Sequence, residues 1–352
     1  MLLTFRYRVK DATAGKRLAR MAVAVNGVWN YCGGVQNSSR RVGRRWPSGF
    51  DLIGLTNGCT KELGLHSDTV QAVCKQFATS RDKARRRPRW RVSFGAKRSL
   101  GWVPFQCARP LKVAGDAVTF LGRKYRLWLS RPIPADIRSG SFSQDADGRW
   151  FLNLACEVPG DLPAGAGEVG IDLGLKEFAA LSTGEKVENP RHLRKSAAKL
   201  ARAQRAGRKR SARKIHRKVA AQRRHFLHET STRLVRANAL ICVGDVNSAA
   251  LARSKMAKSV LDAGWSAFRS MLCYKSAMRH GARFVETNER YSTQVCSECL
   301  ALGGPRGQKH LRVRSWVCDG CGVLHDRDTN AARNILRSGR STALRMTEIP
   351  AL

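Results

Sequence analysis

The sequence predicts a multidomain chain. An N-terminal β-barrel or β-sandwich with an inserted helical segment precedes an α/β domain that holds a zinc ribbon. Three observations predict this class. Short alternating strands occur before residue 14 and again over 90–159, on either side of a helical stretch. Buried strands alternate with helices after residue 168, as in α/β folds. Two Cys-x-x-Cys pairs follow near the end of the chain.

The composition indicates a polyanionic partner. Lys and Arg number 65 against 26 Asp and Glu, which gives a formal net charge of +39. So many positive side chains repel one another and destabilise a compact protein unless a polyanion neutralises them. Because Lys and Arg bind phosphates, we expect a nucleic acid partner. No apolar run approaches about 18 residues, and the N-terminus lacks a signal-peptide core, so we expect no membrane span. The cysteine pattern predicts a reducing cytoplasm rather than a disulfide scaffold.

The first part of the chain divides into strands and a helical insertion. We expect residues 1–13 and 88–160 to form the strand-rich domain and residues 14–87 to form the insertion. The second helix of the insertion starts at Ser67 and stops before Pro88. It ends in a basic run, Arg85, Arg86 and Arg87. In so basic a chain this run predicts phosphate contacts, and the alternative is a solvated helix end.

A second basic region follows the first buried strand of the α/β part. Residues 191–224 hold fifteen Lys or Arg and no acidic residue, with a break at Gly207. A narrow apolar stripe predicts two basic helices here rather than disorder. The residues predicted to bind nucleic acid are Arg208, Lys209, Arg210, Arg213 and Lys214. The alternative is a merely solvated helix face.

Acidic residues stand at the ends of the buried strands. The order of strand, hairpin, helices, strand, helix, strand and helix is that of a ribonuclease-H-like fold, in which strands ending at Asp172, Asp245 and Glu286 run parallel. Asp328 begins the last helix, where a carboxylate is ordinarily a cap. Carboxylates that converge at one sheet edge can instead hold two Mg²⁺ ions for phosphodiester chemistry. We therefore expect Mg²⁺ or Mn²⁺ at this edge.

The paired cysteines predict a metal site. Two Cys-x-x-Cys pairs at this separation can place four thiolates around one structural Zn²⁺. The predicted ligands are Cys296, Cys299, Cys318 and Cys321. The alternative is four free cysteines. A structural ion also accounts for the Gly- and Arg-rich insert, which is too short to bury a core of its own.

These motifs together resemble one protein family. The set comprises Gly170-Ile-Asp172-Leu-Gly174, Val243-Gly-Asp-Val, Tyr291-Ser-Thr-Gln-Val-Cys296, the cysteine pairs and Asp326-Arg-Asp328-x-Asn330-Ala-Ala. It resembles TnpB, the OrfB-type protein of bacterial insertion sequences, an RNA-guided DNA endonuclease similar to the type V CRISPR effectors. The motifs cover roughly residues 165–340, and the N-terminal half resembles the family only in its layout.

The resemblance implies an architecture and a set of partners. The strand-rich domain becomes a wedge domain, and the insertion becomes a recognition segment. Residues 161–340 form a RuvC-like nuclease domain, residues 290–325 are its zinc ribbon, and residues 341–352 form a tail. The implied partners are a guide RNA from the transposon end and a double-stranded DNA target. The sequence leaves the oligomeric state open, with a monomer favoured.

One family residue is absent. The family motifs supply aspartates that match Asp172 and Asp328, but Gly244 stands where a glutamate is expected. Three explanations for the missing glutamate remain. Asp245 is the metal ligand, Glu289 supplies the carboxylate from the end of the neighbouring strand, or the site is catalytically inactive. We favour Glu289 and predict the catalytic, magnesium-binding set Asp172, Glu289 and Asp328. The rival functions are an inactive RNA-guided DNA-binding protein and a DNA-joining or accessory transposase protein.

Overall fold

The computed structural model describes residues 1–160, 162–247, 251, 253–254, 256–306, 310 and 312–347. The chain divides into two compact units, Met1–Val158 and Pro159–Leu352. This division lies close to residue 161, the expected start of the second domain, which is itself outside the described residues. The final part of the predicted tail, 348–352, also lies outside them.

The first unit combines an antiparallel sheet with helices between its first and second strands. Its helices are α1 (Ala12–Arg41), α2 (Gly49–Leu55), α3 (Thr60–Leu63) and α4 (Ser67–Ala84). Its strands are β1 (Leu2–Val9), β2 (Trp102–Phe105), β3 (Leu111–Ala114), β4 (Ala117–Phe120), β5 (Arg123–Trp128), β6 (Ile137–Gln144) and β7 (Trp150–Glu157). The helical insertion predicted between the first two strands is therefore present.

The seven strands pair in the order β2-β6-β7-β1-β5-β4-β3. Buried aromatic side chains such as Tyr7, Phe120 and Phe142 fill the core of this unit. Among the described residues no pairing joins β2 to β3, so the predicted closed barrel is not confirmed. Strand β6 lies within the range predicted to be rich in strands, although its Ser- and Gly-rich sequence has low strand propensity. It pairs along most of its length with β7.

The second unit is an α/β structure. Its strands are β8 (Leu162–Pro163), β9 (Gly167–Leu173), β10 (Glu177–Leu181), β11 (Lys186–Glu188), β12 (Asn238–Gly244), β13 (Arg279–His280), β14 (Arg283–Thr287), β15 (Ser315–Val317) and β16 (Leu324–Asp326). Its helices are α5 (His192–Arg205), α6 (Lys209–Ala237), α7 (Ala257–Ala263), α8 (Trp265–Ala277) and α9 (Arg327–Thr347).

The main sheet of this unit brings three strand ends to one edge. Its strand order is β11-β10-β9-β12-β14. Strand β12 lies in the centre of the parallel portion and pairs in parallel with both β9 and β14. The predicted parallel neighbours are therefore confirmed. Because parallel strands point their carboxyl ends the same way, the residues that follow β12 and β14 lie beside the end of β9.

Helix α9 packs directly on this sheet because two glycines allow it. A Cβ atom at Gly170 of β9 would overlap the carbonyl oxygen of Ala332, and one at Gly339 of α9 would overlap the Cys242 sulfur. The buried Ala331 and Ile335 of α9 complete the contact. This close approach fixes the start of α9, and with it Asp328, near the carboxyl end of β9.

The two basic helices are present as predicted. Helix α5 ends at Arg205 and α6 begins at Lys209. Gly207 between them has a φ of +64 degrees, in the left-handed region that favours glycine. Most of their basic side chains are exposed, while Val219, Leu227 and Leu234 of α6 are buried. Within the described part of the chain, every helix is too short or too polar to cross a membrane.

Candidate active site

Asp172 lies within the electrostatic influence of two other predicted carboxylates, those of Glu289 and Asp328. Asp172 lies near the end of β9, Glu289 follows β14, and Asp328 stands in the first turn of α9. Burial raises the pKa of Asp172 to about 8, and the negative charges of Asp328 and Glu289 add to the rise. Crowded like charges of this kind favour either a bound proton or a bound cation.

Glu289 occupies the space that a side chain at position 244 would fill. A Cβ atom built on Gly244 would lie 2.9 Å from Oε2 of Glu289 and 3.3 Å from its Cβ. The same Cβ would lie 3.2 Å from the Ile335 methyl group of α9. The carboxylate of Glu289 therefore stands at the end of β12, beside the residue that lacks one.

Asp245 contacts the backbone that carries Glu289. Its Oδ1 accepts a hydrogen bond from the Glu289 N–H at 3.1 Å. Its own N–H donates to the Thr287 carbonyl at 2.9 Å, which joins the ends of β12 and β14. The exposed Asp245 carboxylate is thus engaged in holding the loop after β14.

Arg269 of α8 is a candidate site residue that the sequence analysis missed. Burial raises the pKa of Glu289, the Asp245 charge adds to the rise, and the Arg269 charge opposes it. The Arg269 guanidinium lies 3.7 Å from Glu286. An open cavity of about 620 Å³ is lined by Asp245, Val246, Asn247, Ser266, Arg269, Glu286 and Glu289. The site is therefore accessible from solvent on this side.

Asp328 is not the residue that caps α9. Asp326 accepts a hydrogen bond from the Thr329 N–H at 3.0 Å, as an N-cap does, and its carboxylate also pairs with Lys186 at 2.6 Å. Asp328 instead pairs with Arg314, whose Nη1 lies 3.1 and 3.3 Å from its two oxygens. The capping interpretation of Asp328 is therefore wrong, and its carboxylate faces a cation.

The four predicted zinc ligands come together. All four sulfurs lie within 4.8 Å of one another. Cys296 and Cys321 are 3.7 Å apart, and Cys299 and Cys318 are 3.6 Å apart. A tetrahedral ion with Zn–S bonds of about 2.3 Å requires sulfur separations of about 3.8 Å. The set therefore fits zinc, and among the described residues only this set gathers three or more potential ligands so closely.

Side chains that the sequence analysis overlooked connect this cysteine cluster to α9. His325 is buried, and its Nε2 lies 3.0 Å from the Cys296 sulfur. Burial raises the pKa of the Cys296 thiol, but hydrogen bonds from the backbone of Cys299 and Glu298 and from His325 outweigh it and lower the pKa to about 6. A histidine shortly after the last cysteine was the available signal.

Two buried asparagines of α9 make the same connection. Asn330 and Asn334 each donate to the carbonyls of Ser292 and Val295. Asn330 also accepts from the Ser297 N–H at 2.8 Å. The first cysteine pair is therefore attached to the helix that carries Asp328. Asparagine in a helix interior is unfavourable unless it makes such bonds, which was the signal in the sequence.

The predicted nucleic-acid-binding residues are exposed in both units. Arg208 precedes α6, and the other four residues of that set lie in its first two turns. In the first unit Arg85 adopts a left-handed backbone at the end of α4, with a φ of 51 degrees, and the two arginines after it are also exposed. Their positions are compatible with phosphate contacts.

The site and the sheet define a class: an α/β domain with acidic residues at one sheet edge and a four-cysteine metal site. Comparisons with known proteins find family models that match two parts of the chain. Residues 153–255 match the family OrfB_IS605, described as "Probable transposase". Residues 265–335 match the family described as "Cas12f1-like, TNB domain". The resemblance to TnpB indicated by the motifs is therefore confirmed.

Curated relatives agree with this assignment. A Streptomyces pristinaespiralis protein named "Putative RNA-guided DNA endonuclease" is 42% identical over 60% of this chain and 55% of its own length. The Escherichia coli "Putative RNA-guided DNA endonuclease InsQ" is 28% identical over 60% of this chain and 59% of its own length. The chain thus spans little more than half the length of these relatives.

A solved structure, a cryo-EM Cas12f1–sgRNA–target DNA complex, aligns over 96% of this chain and 99% of its own. Its TM-score is 0.37 and its sequence identity is 14%. A likeness this low supports no inference about the chain.

Proposed function

We propose that this protein is an RNA-guided, Mg²⁺-dependent DNA endonuclease of the TnpB type. It is encoded by an insertion sequence and cuts double-stranded DNA at a target that matches its guide. The names of the relatives and the net charge of +39 support this activity. The observation that carries the proposal is the placement of the Glu289 carboxylate beside Gly244, where its charge acts on Asp172.

The second unit is proposed to be a ribonuclease-H-like, RuvC-type nuclease domain. Its sheet supports this: counted in chain order, the main-sheet strands lie side by side as third, second, first, fourth and fifth, with the last two parallel to the first. The first unit then corresponds to a wedge domain with an inserted recognition segment. Under this assignment the carboxylates lie where a nuclease of this fold holds its metal ions.

The carboxylate residues suit Mg²⁺ by their chemistry, while their oxygens, unlike the four described cysteine sulfurs, are not all within 4.8 Å of one another. Oxygen ligands from acidic side chains are those that Mg²⁺ prefers. Burial and the charges of Asp328 and Glu289 raise the pKa of Asp172 to about 8 although Arg327 opposes the rise, so a bound cation would stabilise the ionised carboxylate. Asp172, Glu289 and Asp328 would hold the ions. Bound Mg²⁺ would polarise the scissile phosphodiester and lower the pKa of an attacking water. Asp245 holds the Glu289 loop, and the exposed basic helices bind the phosphate backbones.

The cysteine cluster is proposed to hold one structural Zn²⁺. The ion would fix the ribbon against α9, since Asn330, Asn334 and His325 already connect these segments. Its contribution is therefore to folding and to the placement of Asp328, not to hydrolysis. A reducing cytoplasm, proposed from the cysteine pattern, would keep these four thiols available for the ion.

One alternative has an observation in its favour. Gly244 in place of the family glutamate would suit an RNA-guided DNA-binding protein that does not cut. One experiment separates the endonuclease from the inactive DNA-binding protein. The protein is purified with co-expressed transposon-end RNA, the bound RNA is sequenced, and the complex is incubated with a matched plasmid in Mg²⁺. The proposal predicts guide-dependent cleavage. Binding of the target without cleavage, in Mg²⁺ and in Mn²⁺, contradicts it and favours the inactive protein.

A further inference from the structure

An open groove lies along helix α1 in the first unit. Its volume is about 800 Å³, and its lining includes Tyr31, Val42, Arg44, Leu55 and Trp90. Trp90 is 57% exposed and Tyr31 is 48% exposed. An exposed group of large apolar side chains on a highly charged protein indicates a binding surface.

The floor of this groove is helix backbone. Gly27 and Gly34 lie in the interior of α1 and line the groove on either side of Tyr31. A Cβ atom built at either glycine meets nothing within 4 Å among the described residues. Glycine lowers helix stability relative to alanine, and packing here does not exclude a methyl group. A ligand that lies flat against the helix accounts for both glycines.

Trp90 is held in place through its neighbours. The Trp29 indole donates to the Arg89 carbonyl at 3.0 Å. Asn30 both donates to the Arg91 carbonyl and accepts from its N–H, each at 2.8 Å. The backbone on both sides of Trp90 is therefore fixed to α1, while the indole itself stays exposed. A rigid aromatic ring loses little entropy when it binds.

Arg44 lines the groove, and other exposed arginines are close in sequence to its lining residues, so their positive charge favours an anionic occupant. Exposed arginines stand at the end of α1 and after it, and a second exposed run precedes Trp90. They are Arg40, Arg41, Arg44, Arg45, Arg85, Arg86 and Arg87. A planar apolar ring attached to phosphate satisfies the flat floor, the aromatic walls and the basic rim together. A nucleobase in a nucleic acid strand has this chemistry.

We propose that this groove binds an unpaired base of the RNA partner, stacked on Trp90 or Tyr31 above the glycine floor. The inference rests on the proposed function, because it takes RNA as the partner. RNA is favoured over the DNA target because loops and ends of RNA present unstacked bases, whereas bases of duplex DNA are stacked inside the helix.

Fluorescence anisotropy with the full chain tests the proposal. The probes are a labelled single-stranded oligoadenylate RNA of about 20 nucleotides and the DNA of the same sequence, sized to cover a typical single-strand site. Trp90→Ala should weaken RNA binding about 5- to 150-fold, the range for loss of one stacked base, without a change in the salt slope. Trp128→Ala is the matched control, since Trp128 is 60% exposed and lies outside the groove. It should leave RNA binding unchanged.

A second variant distinguishes binding from folding. Gly34→Ala should raise the Tm, because alanine favours the helix, and should weaken RNA binding, because its methyl group fills the floor. If neither Trp90→Ala nor Gly34→Ala changes the affinity for RNA, the proposed base-binding groove is wrong and the proposed function still stands. Dependence on Trp90 for DNA but not for RNA overturns the choice of RNA. A wild-type chain that binds no RNA overturns the groove and the proposed function together.

Discussion

Glu289 places its Oε2 atom 2.9 Å from the position that a Cβ atom of residue 244 would occupy. One residue therefore lacks a side chain where the other supplies a carboxylate. Glu289 stands beyond the end of β14, and Gly244 ends β12, the strand next to it. In our account the metal-binding carboxylate has moved from one strand end to its parallel neighbour, and the neighbouring groups must hold it there.

Asp245 is expected to position Glu289 rather than to bind metal. Asp245→Ala removes the acceptor of the Glu289 N–H and should slow cleavage about 10- to 100-fold, as loss of an outer partner of a metal ligand does. Asp245→Asn keeps an oxygen that accepts this hydrogen bond and should cleave at close to the wild-type rate. Single-turnover cleavage measures both. If Asp245→Asn is as slow as Asp245→Ala, the carboxylate charge itself is needed and Asp245 is a ligand.

Arg314 is expected to compete with divalent metal for Asp328. Its guanidinium lies 3.1 Å from Asp328, so a cation that binds this carboxylate must displace it. Arg314→Gln should therefore tighten the binding of Mn²⁺ to the nucleic-acid-free protein, as measured by calorimetry. Arg333→Gln, which removes an ion pair with Glu298 instead, is the control and should leave Mn²⁺ binding unchanged. If Arg314→Gln and the wild-type protein bind Mn²⁺ with equal affinity, the ion pair between Arg314 and Asp328 does not compete with the metal.

The zinc site is expected to support folding before it supports chemistry. Cys296→Ser should lower the zinc content and the Tm, because the ion closes the ribbon. Cys273→Ser is the matched control, since this exposed cysteine lies outside the cluster. Elemental analysis and thermal unfolding measure the two effects. Folded wild-type protein with less than about half an equivalent of zinc would contradict the site, since a structural site of this kind holds one ion.

The start of α6 is expected to contact phosphates. Neutralising Arg208, Lys209 and Arg210 together should weaken binding to duplex DNA and lower the salt slope by about one unit for each lost contact. The exchange Arg208→Lys, Lys209→Arg, Arg210→Lys keeps the charge and should preserve the slope. Titrations at several salt concentrations give both values. If the salt dependence of DNA binding is unchanged in the neutral triple variant, these residues contact solvent and not phosphates.

Strand periodicity predicted the part of the structure that carries the site. Buried apolar runs located β9, β12 and β14, and the rule that parallel strands share an edge brought their acidic ends together. Glu289 could be named from the sequence because it follows one of these strands. Its exact relation to Gly244 could not, because the path of the loop after β14 depends on the hydrogen bond from its backbone to Asp245.

Other features depended on contacts that no local pattern encodes. Asp326 and Asp328 both stand at the start of α9, and only the backbone geometry shows that Asp326 makes the capping bond. Strand β6 lacks a strand-like composition and exists because β2 and β7 pair with it on both sides. The position of His325 shortly after the last cysteine was a signal, but the sequence does not tell which cysteine it contacts, since Cys296 lies 29 positions before it.

The most direct test moves the carboxylate back to position 244. Glu289→Ala should reduce the rate of DNA cleavage by roughly 10³-fold or more, because a metal site contributes several kcal/mol of transition-state stabilisation, while RNA and target binding persist. Glu289→Gln, which keeps the shape of the side chain, should be similarly slow. Adding Gly244→Glu to Glu289→Ala should restore part of the activity. Removing the Glu289 carboxylate clears the nearest contact of the new side chain, and only the Ile335 methyl group and the Cβ of residue 289, 3.2 and 3.3 Å from the new Cβ, must shift slightly. If Glu289→Ala cleaves DNA at the wild-type rate and Asp245→Ala is inactive, the assignment of Glu289 as the metal-binding carboxylate is wrong.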